Sequence, residues 1–323
     1  MENLNQYLDL FQKNLQKHEF QQEPQKLYEP INYILNLGGK RLRPIITLLT
    51  CDFFGGDLQE AIKPSLAIEF FHNFTLMHDD IMDKAPLRRG KTTVHEKYTV
   101  DSAILSGDAL LIKAYQYLED LPADKFKKVC QIFSEAAIKV CEGQQYDLNF
   151  ETQEKVTEEE YLQMIYYKTG SLAATAFKIG AVIANASDED VEHIYNFGKN
   201  LGIAFQLKDD LLDVYGDKDL VGKKHAGDIF ENKKTILYIK AMELSNTEQK
   251  EELTYWYNSQ TDNIDKIYSV ENIFKALRID KIVEFEIEKY TRIANEELHE
   301  VKGNKMDLSV LEEFNANLIG RSF

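Results

Sequence analysis

The sequence FFHNFTLMHDDIMD at residues 70–83 decides how the fold is interpreted, because three aspartates end an otherwise apolar run. A second run, IAFQLKDDLLD at residues 203–213, repeats the same Asp-Asp-x-x-Asp spacing. In a helix, positions i and i+4 lie above one another and position i+1 lies about 100° away, so each run directs its carboxylates toward one region of space. Each run is therefore predicted to be a helix that carries a cluster of acids.

The six acids predict a metal site. An isolated Asp-Asp-x-x-Asp run is most often a solvated helix end, where acids in the first turn favour the dipole. Here the pattern occurs twice on apolar helices, and charges in such surroundings need partners. Carboxylates suit Mg2+, which keeps several waters and takes further ligands from phosphates. We expect the two runs to meet around a diphosphate, with these ligands or near-ligands: Asp79, Asp80, Asp83, Asp209, Asp210 and Asp213.

Composition excludes several classes of function. The chain has 323 residues, is 44% hydrophobic and carries a net charge of −16, which argues against nucleic acid and anionic membrane surfaces as partners. Residues 1–16 contain no uninterrupted apolar run, so we expect neither a signal peptide nor a membrane span. Three cysteines, an odd number without metal-ligand spacing, fit reduced thiols and a cytoplasmic protein.

The positions of the prolines predict the architecture. All six prolines lie in the first 122 residues, and long helices are expected in the rest of the chain. Apolar residues recur at three- and four-residue intervals without convincing alternation over 127–148, 160–184, 190–214 and 270–298. We therefore predict one all-α domain over residues 1–323 without strands, in which the polar segment 246–265 is an exposed excursion.

Basic loops accompany the acids. Gly38 and Gly39 end a helical pattern, and Lys40 and Arg43 then precede Pro44 at a helix start, where a helix N-terminus with flanking cations favours phosphate. Other basic residues follow the two acid clusters, namely Arg88, Arg89, Lys223, Lys224, Lys233 and Lys234. Each acid cluster is thus expected to have cations within reach.

Taken together, these runs resemble the all-trans isoprenyl diphosphate synthases, the polyprenyl synthetase family that includes farnesyl and geranylgeranyl diphosphate synthases. The resemblance spans residues 38–233. Its matching runs are GGKRLRP at 38–44, HDDIMD at 78–83 with RRG at 88–90, GQ at 143–144 with Asp147, KTG at 168–170, FQ at 205–206 with the second acid run, and GK at 222–223 through Lys233.

The resemblance implies an isoprenoid-synthase-type helical bundle around a central cavity. Isopentenyl diphosphate would condense with an allylic diphosphate (dimethylallyl, geranyl or farnesyl), which about three Mg2+ would hold through Asp79, Asp83 and Asp209. Thr169 and Gln206 would stabilise the allylic carbocation. The implied diphosphate contacts are Arg88, Lys168, Lys223 and Lys233 for the allylic substrate, with Lys234 as the alternative to Lys233, and Lys40, Arg43, His72 and Arg89 for isopentenyl diphosphate. A homodimer is also expected, with the aromatic residues near the first cluster packed across a two-fold axis.

Product length is expected to depend on bulk near the first cluster. Phe74 stands five residues before Asp79, and the small Thr75 stands four before it. By resemblance, this combination is typical of twenty-carbon synthases, with fifteen carbons as the alternative. On an ideal helix Phe74 points away from the acids, so Phe71 or a residue of another helix is the alternative floor of the pocket.

Other functions remain open from the sequence. A longer-chain polyprenyl diphosphate synthase shares all of these motifs. A class I terpene synthase or head-to-head condensing enzyme also ionises allylic diphosphates but lacks an isopentenyl site, against which GGKRLRP and Arg89 argue. A non-catalytic partner subunit would be expected to lose acids or cations, and none of the expected ones is missing here.

Overall fold

Helices form nearly all of the secondary structure in the computed structural model, which describes residues 2–216, 225–259, 261 and 263–320. The chain divides into two compact units. The first unit comprises Met1–Ala137, Thr175–Ile194 and Lys302–Asp307, and the second comprises Ile138–Ala174, Tyr195–Val301 and Leu308–Phe323. The all-α class predicted from the sequence is confirmed, whereas the single-domain organisation stays a prediction.

The first unit contains the N-terminal helices of the chain. Its helices up to residue 116 are α1 Glu2–Lys17, α2 Gln25–Leu35, α3 Leu42–Phe53, α4 Leu58–Met82, α5 Val94–Lys97 and α6 Val100–Gln116. Asp57 caps α4 by accepting a hydrogen bond from the Gln59 amide. Phe70 and Phe71 of α4 are buried within this unit. The dimer expected from the sequence relied on aromatic residues near the first cluster being available for a partner subunit. These two rings are not available, because they are buried within one chain.

A short hairpin follows α4. Strands β1 Leu87–Arg88 and β2 Lys91–Thr92 pair antiparallel. The two residues between them, Arg89 and Gly90, have φ of 54° and 72°, the left-handed pair that a two-residue hairpin turn requires. The sequence analysis missed these strands because two residues are too few to show an alternating pattern. The hairpin places two arginines directly after the first acid cluster.

The rest of the chain forms further helices. They are α7 Ala123–Thr152, α8 Glu158–Ile165, a π-helical turn Tyr166–Gly170, α9 Ser171–Ile183, α10 Asp188–Tyr215, α11 Gly227–Phe230, α12 Ile236–Leu244, α13 Thr247–Tyr257, α14 Ile264–Ala276, α15 Ile279–His299 and α16 Ser309–Ile319. The helices predicted over 127–148 and 190–214 are confirmed. None of the described helices is long and apolar enough to cross a membrane.

Two segments differ from expectation. The segment predicted as one helix over 270–298 is two helices, which meet where Arg278 adopts a left-handed φ of 55°. The segment 246–265, expected to be an exposed excursion, contains α13, whose Leu253 and Tyr257 are buried. Asn246 and Gln249 form a capping box at its start, a signal that outweighs the polar composition.

The π-helical turn Tyr166–Gly170 interrupts the helix predicted over 160–184. A Cβ added to Gly143 of α7 would lie 2.2 Å from the Lys168 backbone nitrogen and 2.7 Å from its Cα. The close approach of the two backbones therefore requires glycine at position 143. Single π turns inside helices frequently occur at functional sites, and this one carries Lys168 and Thr169.

Candidate functional site

The first acid cluster lies at the C-terminal end of α4, with Asp83 as its C-cap. Acids at this end face the negative pole of the helix dipole, which is unfavourable and is relieved by a cation. The position argues against an ordinary solvated cluster, because solvated acids favour the opposite end. Asp80 is buried, whereas Asp83 is exposed.

Arg88 is the cation that this unit supplies to the cluster. Its Nε donates to both carboxylate oxygens of Asp80 at 2.8 and 2.9 Å, and its Nη2 lies 3.6 Å from an oxygen of Asp79. Burial raises the pKa of Asp80, and the hydrogen bond and charge of Arg88 oppose that rise. The arginine thus fixes Asp80 while facing Asp79.

The second acid cluster lies in the last two turns of α10, again toward the negative pole of the helix. Asp210 is almost fully buried, and its two carboxylate oxygens accept hydrogen bonds from Gln206 at 3.0 Å and from Tyr161. An Asp213 oxygen accepts from the backbone amide of Asp228 at 3.0 Å. This unit therefore gathers four acids, because Asp228 joins the predicted three.

Electrostatics at the second cluster favour a cation. Burial raises the pKa of Asp210 well above its usual value, and the nearby charges of Asp228 and Asp209 raise it further, against the hydrogen bonds from Tyr161 and Gln206. Crowded carboxylates of this kind are stabilised when a metal ion lies among them. The arrangement fits Mg2+ by the nature of its donors, which are carboxylate oxygens.

The geometry also limits how such an ion is held. Among the described residues, no three carboxylate, imidazole or thiol groups lie close enough to one another to enclose a metal ion by themselves. Mg2+ usually binds proteins through one or two carboxylates and completes its shell with waters and phosphate oxygens. The donor set thus fits an ion that is shared with a phosphorylated ligand.

A separate cationic group lies in the first unit. Arg43, in the first turn of α3, is half-buried, and its Nη1 lies 3.3 Å from the Nε2 of His72. Burial, and next the charge of Arg43, hold the pKa of His72 well below its usual value, so the ring is neutral and accepts the hydrogen bond. The buried Nε of Arg43 makes no hydrogen bond within the described part of the chain. Such a donor calls for an acceptor from a ligand.

The loop before α3 lies against the hairpin. Arg89 donates a hydrogen bond to the carbonyl of Gly38, and Lys40 is exposed on the same loop. Arg41, in a left-handed conformation at the helix start, pairs with the buried Glu69 and donates to the Leu35 carbonyl. The structure therefore brings Arg43 together with His72 and anchors Arg89 beside the loop that carries Lys40.

Two predicted cations of the second unit, Lys168 and Lys233, have acidic partners. The Lys168 ammonium lies 2.6 Å from an oxygen of Asp147, the acid of the matching run at 143–147. Lys233 lies 2.7 Å from Glu231 and 3.8 Å from Asp228. Burial opposes the charge of Lys233, but these acids outweigh it and raise its pKa.

The two lysines that were alternatives for the diphosphate contact, Lys233 and Lys234, differ in their surroundings. Lys234 donates to the Phe150 carbonyl at 2.7 Å and to the Glu151 carbonyl at 3.3 Å, at the C-terminal end of α7. This helix-end role favours Lys233 as the lysine that serves a ligand. Lys223 lies outside the described residues.

Thr169 and Gln206 are joined directly. The Thr169 hydroxyl donates to the Gln206 side-chain carbonyl at 3.2 Å. Gln206 in turn donates to Asp210, so the two uncharged candidates belong to one network with an acid. Tyr161, which ends this network, was missed by the sequence analysis, because it lies far from Asp210 in sequence and belongs to no motif that was quoted.

The residues predicted to set chain length lie together on α4. The Phe74 ring packs 5.6 Å from the Phe71 ring and 4.7 Å from the His78 ring, measured between centroids. Phe71 also packs edge-on against Phe133. The Thr75 hydroxyl donates to the His72 carbonyl at 2.8 Å. Phe71 is fully buried, whereas Phe74 and Thr75 are half-buried.

These features are typical of helical proteins that bind phosphorylated ligands through carboxylates and cations. Solved structures with the same fold are prenyl diphosphate synthases. A crystal structure of a geranylgeranyl pyrophosphate synthase matches with a TM-score of 0.93 at 42% identity and covers 99% of both chains. The geranylgeranyl pyrophosphate synthetase of Pyrococcus horikoshii matches with a TM-score of 0.91 at 31% identity, covering 99% of this chain and 98% of that one.

Sequence comparison leads to the same class. Geranylgeranyl diphosphate synthase of Sulfolobus acidocaldarius is 41% identical over 287 residues, which are 88% of this chain and 86% of that protein. Geranylfarnesyl diphosphate synthase of Natronomonas pharaonis is 39% identical over 238 residues, 68% of this chain and 70% of that protein. The polyprenyl synthetase family matches residues 24–274, and the chain belongs to this family of prenyltransferases.

Proposed function

We propose that this protein condenses isopentenyl diphosphate with an allylic diphosphate to make a short-chain all-trans prenyl diphosphate. The observation that carries the proposal is Arg43, whose buried Nε lacks a partner among the described residues and whose charge is not neutralised by His72. Terpene synthases that only ionise an allylic diphosphate need no such second anion site. A metal-independent phosphate contact fits isopentenyl diphosphate, with Lys40 and Arg89 as further contacts.

The acid clusters are the proposed binding site of the allylic diphosphate. Asp79, Asp83 and Asp209 would hold about three Mg2+, with the other acids as ligands or as acceptors for water on the metal. When bound, the ions supply the positive charge that stabilises a departing diphosphate. The support from this chain is the pair of acid clusters at helix C-termini, together with the burial and the neighbouring acids that raise the pKa of Asp210.

The side chains around the acids have complementary tasks in this proposal. Arg88, Lys168 and Lys233 would neutralise charge that develops on the leaving diphosphate as the C–O bond breaks. Thr169 and Gln206 would present oxygen lone pairs to the allylic carbocation without being alkylated. The isopentenyl double bond then attacks the cation, and the released diphosphate accepts the proton that leaves. No nucleophilic side chain is needed.

The proposed product is geranylgeranyl diphosphate, with farnesyl diphosphate as the alternative. Phe74 beside the small Thr75 supports this length, and the similar proteins include geranylgeranyl diphosphate synthases. A longer product is the second candidate, favoured by the similarity to a geranylfarnesyl diphosphate synthase. The free cysteines support a cytoplasmic location, where thiols stay reduced.

A homodimer is proposed from the exposed face of α6. Val100, Ile104, Leu105 and Ile112 are 47%, 40%, 59% and 59% exposed, although they belong to one helix of the first unit. A helix face with this much apolar surface is typical of a subunit interface. Light scattering at micromolar concentration should give twice the 37.4 kDa of the chain, and the monomer mass would contradict the dimer.

The experiment that tests the function is a product assay. The purified protein, Mg2+ and labelled isopentenyl diphosphate are incubated separately with dimethylallyl, geranyl and farnesyl diphosphate. The products are dephosphorylated and separated by reverse-phase chromatography. Twenty-carbon alcohol from every starter is expected. Absence of condensation with all three starters would point to the non-catalytic alternative, and hydrolysed or cyclised starter without condensation would point to a terpene synthase.

A further inference from the structure

Four side chains of the second unit form a continuous hydrogen-bonded chain that runs away from Thr169. The Thr169 hydroxyl donates to Gln206 Oε1 at 3.2 Å, and Gln206 Nε2 donates to Asp210 Oδ1 at 3.0 Å. The Tyr161 hydroxyl then donates to Asp210 Oδ2. Tyr161 and Asp210 are 2% and 4% exposed, so bulk water does not compete for these bonds.

The order of donors and acceptors in this chain follows from chemistry. The Gln206 Nε2 donates to Oδ1 and the Tyr161 hydroxyl donates to Oδ2, so both groups that face Asp210 are donors. The amide NH2 of Gln206 therefore faces Asp210, and its carbonyl oxygen faces Thr169. Because that oxygen can only accept, the Thr169 hydroxyl uses its hydrogen there. The lone pairs of Thr169 then remain directed elsewhere.

We propose that Asp210, held by Tyr161, is a positioning residue that sets the direction of the Gln206 amide and thereby makes Thr169 an acceptor toward the substrate. The inference rests on the proposed function and assigns Asp210 a task other than metal ligation. With the amide inverted, Gln206 would donate to Thr169, and the threonine hydrogen would turn outward. A positive hydrogen would then face the allylic cation, where an oxygen is needed.

Asp210→Asn tests the inference without changing side-chain volume. The buried Tyr161 hydroxyl needs an acceptor, so the asparagine oxygen turns to Tyr161 and its NH2 turns to Gln206. Gln206 must then invert. Turnover should fall by roughly a hundredfold, as expected when a reacting group is misplaced, with unchanged Michaelis constants and unchanged half-saturation by Mg2+. Asp209→Asn, by contrast, should raise the Mg2+ requirement.

Exchanging the amide and the carboxylate between positions 206 and 210 should restore the orientation of the Thr169 hydroxyl. In the double variant Gln206→Glu, Asp210→Asn, the introduced asparagine still donates toward position 206, and the introduced carboxylate accepts from both that asparagine and Thr169. The net charge equals that of the wild type. Turnover should recover about tenfold over Asp210→Asn alone, which a loss of packing or of a metal ligand would not allow. Gln206→Glu alone should be poorly active, because two carboxylates then face each other.

Two tyrosine-to-phenylalanine substitutions, one at Tyr161 and a control at Tyr215, each remove a single buried hydroxyl. Tyr161→Phe should lower turnover about tenfold through the loss of the buried hydrogen bond that holds Asp210. The buried hydroxyl of Tyr215 makes no hydrogen bond within the described chain, so Tyr215→Phe should keep full turnover. Melting temperatures of all variants show which are folded, and the Tyr161→Phe result stands even if Asp210→Asn fails to fold.

The outcomes separate this inference from the proposed function. If the wild type and Tyr215→Phe form no prenyl diphosphate, the function fails and the inference falls with it. If they are active but the exchanged pair is no better than Asp210→Asn, only the inference is overturned. An increase in the Mg2+ requirement of Asp210→Asn as large as that of Asp209→Asn would likewise overturn it, because Asp210 would then act as a ligand.

Discussion

His72 accepts a hydrogen bond from Arg43 across 3.3 Å, so a permanently charged, half-buried guanidinium lies against a neutral ring. The histidine fixes the arginine without cancelling its charge. Removing a charge from water is unfavourable, the charge of Glu69 offsets only part of that cost at Arg43, and an anionic ligand there relieves the rest. The pair is thus expected to contribute to binding energy more than to stability.

Removal of Arg43 should affect one substrate. Arg43→Ala or Arg89→Ala should chiefly raise the Michaelis constant for isopentenyl diphosphate, because each loses a charge-assisted phosphate contact commonly contributing about 1.5 to 3 kcal/mol. Arg88→Ala should instead weaken the allylic substrate, because Arg88 lies at the first acid cluster. Steady-state kinetics with each substrate varied alone measure both constants. Equal effects of all three substitutions on both substrates would contradict this division.

The depressed pKa of His72 predicts a pH-dependent stability. Below pH about 6.5 the unfolded chain binds a proton at His72 that the folded protein does not, so the free energy of unfolding decreases as pH falls toward the lowered pKa. Above about pH 6.5, His72 is neutral in both the folded and the unfolded chain, and the free energy of unfolding no longer depends on its titration. His72→Gln keeps an acceptor for Arg43 without titrating. Urea unfolding of both proteins between about pH 5 and 7.5 should show their difference changing by up to about 1.4 kcal/mol per pH unit, and parallel curves would refute it.

Whether a feature could be predicted from the sequence depends on how far apart in the chain the residues that determine it lie. The acid clusters and the helices around them were predictable, because helical periodicity is local. The break before α15 was not, because Arg278 is an ordinary residue in a left-handed conformation there. The contact of Tyr161 with Asp210 joins two helices far apart in sequence, and no local pattern encodes it. Asp228 was accessible in principle, because it is an acid only five residues before Lys233.

Loss of a metal ligand should abolish activity and leave the fold intact. Asp79→Ala and Asp209→Ala each remove a carboxylate from a crowded cluster, so the empty protein should be no less stable. Turnover at saturating Mg2+ should be lost in both. In the wild type, Mg2+ with an unreactive diphosphate analogue should raise the melting temperature by mass action, and neither variant should show the full shift. Near wild-type turnover in either variant would contradict the metal site.

Gly143 should be essential for the π-helical turn. In Gly143→Ala the new methyl would meet the Lys168 backbone, which cannot move aside as a side chain could, so the turn must shift. A stability loss of about 1 to 3 kcal/mol and a large fall in turnover are expected, because Lys168 and Thr169 are displaced.

Gly180→Ala is the matched comparison for Gly143→Ala. There the methyl would lie 2.5 Å from the Thr47 carbonyl, within the first unit. A similar loss of melting temperature but preserved turnover at low temperature is expected for Gly180→Ala. Equal turnover of the two variants would show that the turn does not position catalytic groups.

The control of chain length is tested by two opposite substitutions on α4. Phe74 packs between Phe71 and His78, so Phe74→Ala removes a ring from an aromatic row rather than from an isolated position. If this ring limits the growing chain, products should extend beyond twenty carbons while total incorporation stays comparable, because no diphosphate contact has changed. Thr75→Phe adds bulk on the side nearer the acids and should shorten products toward fifteen carbons. Reverse-phase chromatography of dephosphorylated products distinguishes the two effects. A change with Thr75→Phe alone would mean that Phe74 faces away from the chain, as ideal helix geometry suggests, and unchanged lengths in both variants would place the floor on another helix.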